Sequence, residues 1–107
     1  MCDGPDDRAM ILEVAILTVR PGQESAFEDA MRRARPLIEM SPGFGGLELR
    51  RCLETPNRYL LQVGWRSVED HTVGFRQSPR YQEWRNLLHQ FYDPFPLVEH
   101  YQAPLAL

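Results

Sequence analysis

Residues 64–85 read GWRSVEDHTVGFRQSPRYQEWR and bring Trp65, His71, Phe75, Tyr81 and Trp84 into one short run. An imidazole titrates near neutrality when unperturbed, so His71 can take a proton from an acidic hydroxyl. Aromatic faces around it hold a flat ring by stacking and shape. Large aromatics with a few polar tips are what a small-molecule pocket contains, and also what a filled core contains. The sequence leaves that choice open.

The elements that must position these residues follow from periodicity. ILEVAILTV, residues 11–19, is aliphatic and β-branched, and Arg20-Pro21-Gly22 ends it, so it reads as a first strand. From Gln23 to Met40, Phe27, Ala30, Met31, Ala34, Leu37 and Ile38 recur at helical intervals, with Pro36 expected to kink or loosen the last turn. Residues 44–54 and 58–66 alternate around the turn residues Thr55-Pro56-Asn57 and form a hairpin. Ser67 and Ser78-Pro79 are helix starts, giving helices over 67–76 and 79–92, and residues 94–102 read as a last strand.

The order is β-α-β-β-α-β, an α+β ferredoxin-like antiparallel sheet with helices on one face. Alternation puts Tyr59, Leu61, Val63 and Trp65 on the helix-facing side with Leu47, Leu49 and Leu53. Offsets of 0, 3, 4 and 7 turn Val68, His71, Thr72 and Phe75 inward, so the imidazole looks toward Trp65. Tyr81, Trp84, Leu87, Leu88 and Phe91 form the next inward stripe, while His89 groups with the polar residues. On the last strand His100 shares a face with Val98, and Glu99 with Tyr101; alternation does not decide which pair looks inward.

For the first strand, either Leu12, Val14 and Ile16 or Ile11, Ala15 and Leu17 beside Glu13 lie on the uncovered side of the sheet. Either choice leaves aliphatic surface that the chain's own helices do not cover, and a second copy of the sheet is its natural cover. The expected partner is therefore a second chain through the open sheet face.

Composition narrows the function classes. The 107 residues carry a formal net charge of -3 with scattered arginines, which gives no footprint for a nucleic-acid backbone. No run is long and apolar enough to span a bilayer, and residues 1–9 lack the pattern of a signal peptide. They read as a disordered or flexible tail before a single domain over residues 10–107. Cys2 and Cys52 make no disulfide framework, so reduced thiols in the cytoplasm are expected. His71, His89 and His100 have no metal-ligand spacing, and the glycines around Phe44 lead into a strand rather than a helix, which argues against a phosphate loop.

VRPGQESAF at 19–27, the strand ending in Trp65, His71 and Phe75 after it, SPRY at 78–81 and VEHY at 98–101 resemble the antibiotic biosynthesis monooxygenase (ABM) domain, a dimeric α+β barrel. The resemblance covers roughly residues 10–102, most of one domain. It implies a homodimer acting on a small aromatic substrate and O2, as a cofactor-independent monooxygenase of phenols, quinols or polycyclic aromatics. A base removes the phenolic proton, and a closed apolar pocket shields the intermediate from water. His71 and Trp65 are the catalytic candidates, with Phe75, Tyr81, Trp84 and His100 as the substrate pocket. The family's haem-degrading branch carries an Asn on the first strand, and residues 11–19 contain none, which disfavours haem as a cofactor. A non-catalytic ligand-binding or stress-associated dimer is the alternative from another class.

Overall fold

The computed structural model describes residues 10–107, so the expected tail and Cys2 lie outside the described residues. In chain order the elements are β1 (Ile11–Thr18), α1 (Glu24–Glu39), β2 (Phe44–Arg51), β3 (Arg58–Trp65), α2 (Pro79–Leu88) and β4 (Val98–Tyr101). Between β3 and α2 the chain winds a π-helical turn, Asp70–Phe75, and a 3-10 turn, His89–Phe91, follows α2. The four strands form one antiparallel sheet in the order β2-β3-β1-β4.

Four local expectations change. The helix expected over 67–76 is mostly a π turn. The helix expected to reach residue 92 ends at Leu88. The last strand is four residues long, because Pro94 and Pro96 offer no N–H for a ladder and hold the preceding segment off the sheet. Leu53, assigned to the inner face, lies beyond the end of β2 and is fully exposed. Pro36, by contrast, sits inside α1, which continues to Glu39.

One face of the sheet presents Ala15, Leu17, Leu47, Tyr59, Leu61, Val63 and Trp65 to the helices, all buried. Phe27 of α1 is fully buried between them, its ring edge-on to Tyr59 at 5.0 Å, Phe91 at 5.9 Å and Tyr92 at 6.0 Å. Burying one such side chain stabilises the fold by roughly 1.5–3 kcal/mol. At the end of the sheet near this cluster the Tyr59 hydroxyl donates to Glu28 Oε2 at 2.6 Å, an oxygen that Arg51 Nε also reaches at 2.7 Å. Loss of water and the neighbouring carboxylate push the Tyr59 phenol up to about 12.

The opposite face is the all-aliphatic choice for β1. Leu12, Val14 and Ile16 project there, alternating with the buried Glu13, Ala15 and Leu17, and their strand partners on that face include Leu60, Gln62 and Tyr101. Ile16 and Tyr101 are each about half exposed. No helix of the described residues is long and apolar enough to cross a membrane.

Candidate functional site

The site grows out of strand register. Glu13 lies opposite Val63 on β3 and His100 on β4, so Glu13 and His100 are neighbours on the helix-facing side. Trp65, two residues beyond Val63 on the same face, is Glu13's diagonal neighbour, within reach of a long side chain. Its indole N–H donates to Glu13 Oε1 at 2.8 Å, with the carboxylate buried and the tryptophan wholly so.

The π turn supplies His71. Its backbone signature is the Arg76 N–H donating to the His71 carbonyl at 3.0 Å, five residues back. Such turns widen a helix by one residue and are frequent at functional sites. The turn is pinned at its start, where the Ser67 hydroxyl accepts the Asp70 N–H at 3.1 Å and Arg66 grips both Asp70 oxygens at 2.9 and 3.0 Å. Gly43 lies directly beneath: its φ of +84° favours glycine, and a Cβ there would collide with the Asp70 carboxylate.

So held, the His71 ring stacks on Trp65, centroids 5.3 Å apart and planes 15° apart. Its Nε2 is 3.4 Å from Glu13 Oε1, and its Nδ1 is 2.8 Å from His100 Nε2. Four side chains from β1, β3, the π turn and β4 therefore form one connected polar line through an apolar core.

Glu13 and His71 border a cavity of about 100 Å³ whose other walls include Phe75, Arg76, Tyr81 and Trp84. His89 also borders it, with its ring 4.9 Å from Phe95, so its expected grouping with the polar residues fails. The change from α to 3-10 winding at Leu88 turns that side chain inward. A larger groove of about 470 Å³ runs between α1 and β2, but it is open to solvent. Its Arg32, Arg35, Arg50 and Arg51 are paired with Asp29, Glu39, Glu48 and Glu28, so it presents no unbalanced charge. Titratable groups and aromatics converge on the smaller cavity, which makes it the candidate site.

Burial sets the electrostatics. Loss of water raises the Glu13 carboxyl above the usual carboxylate range, partly offset by the Trp65 hydrogen bond and by Arg76. Loss of water, then the charges of Arg76 and His100, hold His71 down at about 3. His100 and His89 are lowered as well, chiefly by burial. His71 and His100 are therefore both neutral near pH 7, and their 2.8 Å contact is one N–H donating to one bare nitrogen.

The structure thus brings His71, Trp65 and His100 together, with Phe75, Tyr81 and Trp84 in edge and tilted contact around them. It also places His100 on the inner face, which alternation left undecided. Trp65 and His100 stand behind the cavity rather than on its wall. The residue that sequence reasoning missed is Glu13. The available signal was its phase with Ala15 and Leu17, which makes it the one acid in a buried alternating set. Among the described residues, no group of three or more His, Cys, Asp and Glu side chains is placed to hold a metal ion.

Residues 10–87 match the family model for antibiotic biosynthesis monooxygenases. The Bacillus subtilis protein YczJ, itself uncharacterized, is 50% identical over 93 residues, 87% of this chain and 98% of that protein. A crystal structure from Bordetella bronchiseptica, described as a candidate antibiotic biosynthesis monooxygenase, superposes with a TM-score of 0.87 at 43% identity, covering 91% of this chain and 99% of that one. SnoaB from Streptomyces nogalater, described as a cofactor-independent oxygenase, shares the fold with a TM-score of 0.75 at 20% identity, over 92% of this chain and 97% of its own.

Proposed function

Because the chain belongs to the antibiotic biosynthesis monooxygenase family, we propose that it is a homodimeric, cofactor-independent monooxygenase acting in the cytoplasm on a small phenol or quinol. The observation that carries the reading is a carboxylate–imidazole pair, Glu13 and His71, bordering an otherwise aromatic cavity. Such a pair can receive a phenolic proton, and the apolar walls keep the electron-rich anion from water. The anion then supplies the electrons that reduce dioxygen. One oxygen atom ends as a new ring carbonyl; the other leaves as water with the displaced ring hydrogen and one proton, which balances the proton taken from the phenol.

Cavity size refines the substrate. An engineered cavity of about 150 Å³ accommodates benzene, and this one measures about 100 Å³. A single ring fits it better than a polycycle. The open sheet face, with Leu12, Val14, Ile16 and Leu60, supports isologous pairing with a second copy.

Oxygen uptake by the purified protein with a panel of quinols and phenols, without added metal or flavin and beside His71→Ala, tests the proposal. Uptake that depends on His71 supports it. Silence across the panel from folded protein transfers the cavity to a ligand-holding role.

A further inference from the structure

The proposed reaction must take a proton from the substrate and later return one to the reduced oxygen, and the structure contains a route for it. Glu13 Oε1 accepts the Trp65 N–H and faces His71 Nε2, while Oε2 accepts no hydrogen bond from a described residue. Glu13 is among the residues that border the cavity. Beside it on the same cavity, His71 is 2% exposed. Its second nitrogen reaches His100, which stands on β4 at the edge of the sheet and is only partly buried. A buried imidazole with one nitrogen toward a cavity carboxylate and the other toward a rim imidazole has the connectivity of a relay.

We infer that Glu13 is the group that takes the substrate's proton, and that His71 and His100 form a two-ring relay carrying that proton from the cavity to the β4 edge. The inference rests on the oxygenase reading and specifies its chemistry. The phenolic O–H bond breaks, its electron pair stays on the phenolate oxygen, and the proton bonds to the Glu13 carboxylate. The proton then passes to His71 Nε2 as the His71 Nδ1 proton moves to His100 Nε2 and His100 releases its Nδ1 proton. One proton enters and one leaves, and each ring ends as its other tautomer. Passage of a proton back along the same path, to the reduced oxygen, resets both rings. Burial favours this division of labour, since it makes the carboxylate a stronger base and the imidazole a weaker one. The groups facing Glu13 are Trp65 from β3, His71 and Arg76 from the π-turn region, His100 from β4 and Tyr92 after α2.

Two measurements test the relay. In oxygen uptake with phenols graded in acidity, Glu13→Gln should slow turnover about 100-fold or more for substrates un-ionised at the assay pH. The loss should shrink toward none for those already ionised. His100→Gln should lower kcat with KM unchanged, and added imidazole should recover it. An equal loss for ionised and un-ionised substrates, or full activity of Glu13→Gln, overturns the inference while leaving the oxygenase reading intact. If wild type consumes no oxygen, the oxygenase reading fails, and 15N NMR of the imidazoles decides the relay. His71 and His100 should change tautomer together at the pH where Glu13 titrates, and Glu13→Gln should abolish that step. Independent titration of the three groups overturns it.

Discussion

Trp65 and His71 lie face to face, and both direct a ring nitrogen at the same atom, Glu13 Oε1. The indole nitrogen can only donate, so it always favours the ionised carboxylate, whereas His71 can donate or accept. Trp65 thereby sets how basic Glu13 is, and His71 is free to follow Glu13's protonation.

Replacing Trp65 by Phe keeps an aromatic face for His71 and removes the donor. Glu13 should then titrate at higher pH than in wild type, and the fold should lose about 1.5–3 kcal/mol near neutral pH, the usual scale for a hydrogen bond to a charged group. Urea denaturation at several pH values measures both. An unchanged profile would mean the indole N–H does not govern the carboxylate.

Acid should destabilise the protein through His71. A folded pKa of about 3 lies below the unfolded value of 6.5, so between these values the unfolded chain binds more protons and stability rises with pH. It is lost as pH falls from about 6.5 toward 3, with His89 and His100 adding in the same direction. Glu13 acts oppositely: its folded pKa is raised above 4.5, so its contribution is full at low pH and declines as pH rises through that window. His71 should prevail because its shift is the large one. Urea midpoints for His71→Gln should show a shallower acid limb than wild type, and an identical slope would contradict this.

Gly43→Ala should damage the site without touching it. The new Cβ meets Asp70, and the positive φ is strained for alanine, at a cost of about 1–3 kcal/mol. Since Asp70 anchors the π turn, turnover should fall in protein that still melts cooperatively. The crystal structure of the variant should show His71 displaced from Trp65.

Phe27→Ala, which is not on the cavity wall, should cost about 3–5 kcal/mol by emptying the aromatic cluster with Tyr59, Phe91 and Tyr92. Thermal and urea unfolding measure this. Protein that remains folded should keep any dependence of oxygen uptake on substrate acidity.

What the sequence made legible was whatever is local. Alternation and Pro/Gly punctuation place β1, β2, β3 and α1 to within a few residues, because each reports its own buried face. The site was legible only where one element sufficed: His71 and Phe75 share a face under α or π winding alike. Glu13 was not, since an acid on a strand is ordinarily solvated and its burial depends on register with two strands distant in sequence. The choice of face on β1 was similarly nonlocal, with the wholly aliphatic set left on the open side. His89 was misplaced because no periodicity announces where α winding tightens to 3-10.

The π turn makes the site sensitive to length as well as to side-chain identity. It holds one residue more than an ordinary helical turn, and Val73 within it is half exposed and packs little. Deleting Val73 would return the segment to α pitch and rotate whatever precedes it relative to α2. His71 would leave the carboxylate while every core position kept its residue. A single-codon deletion there is a route by which the same scaffold could discard this proton path and remain folded.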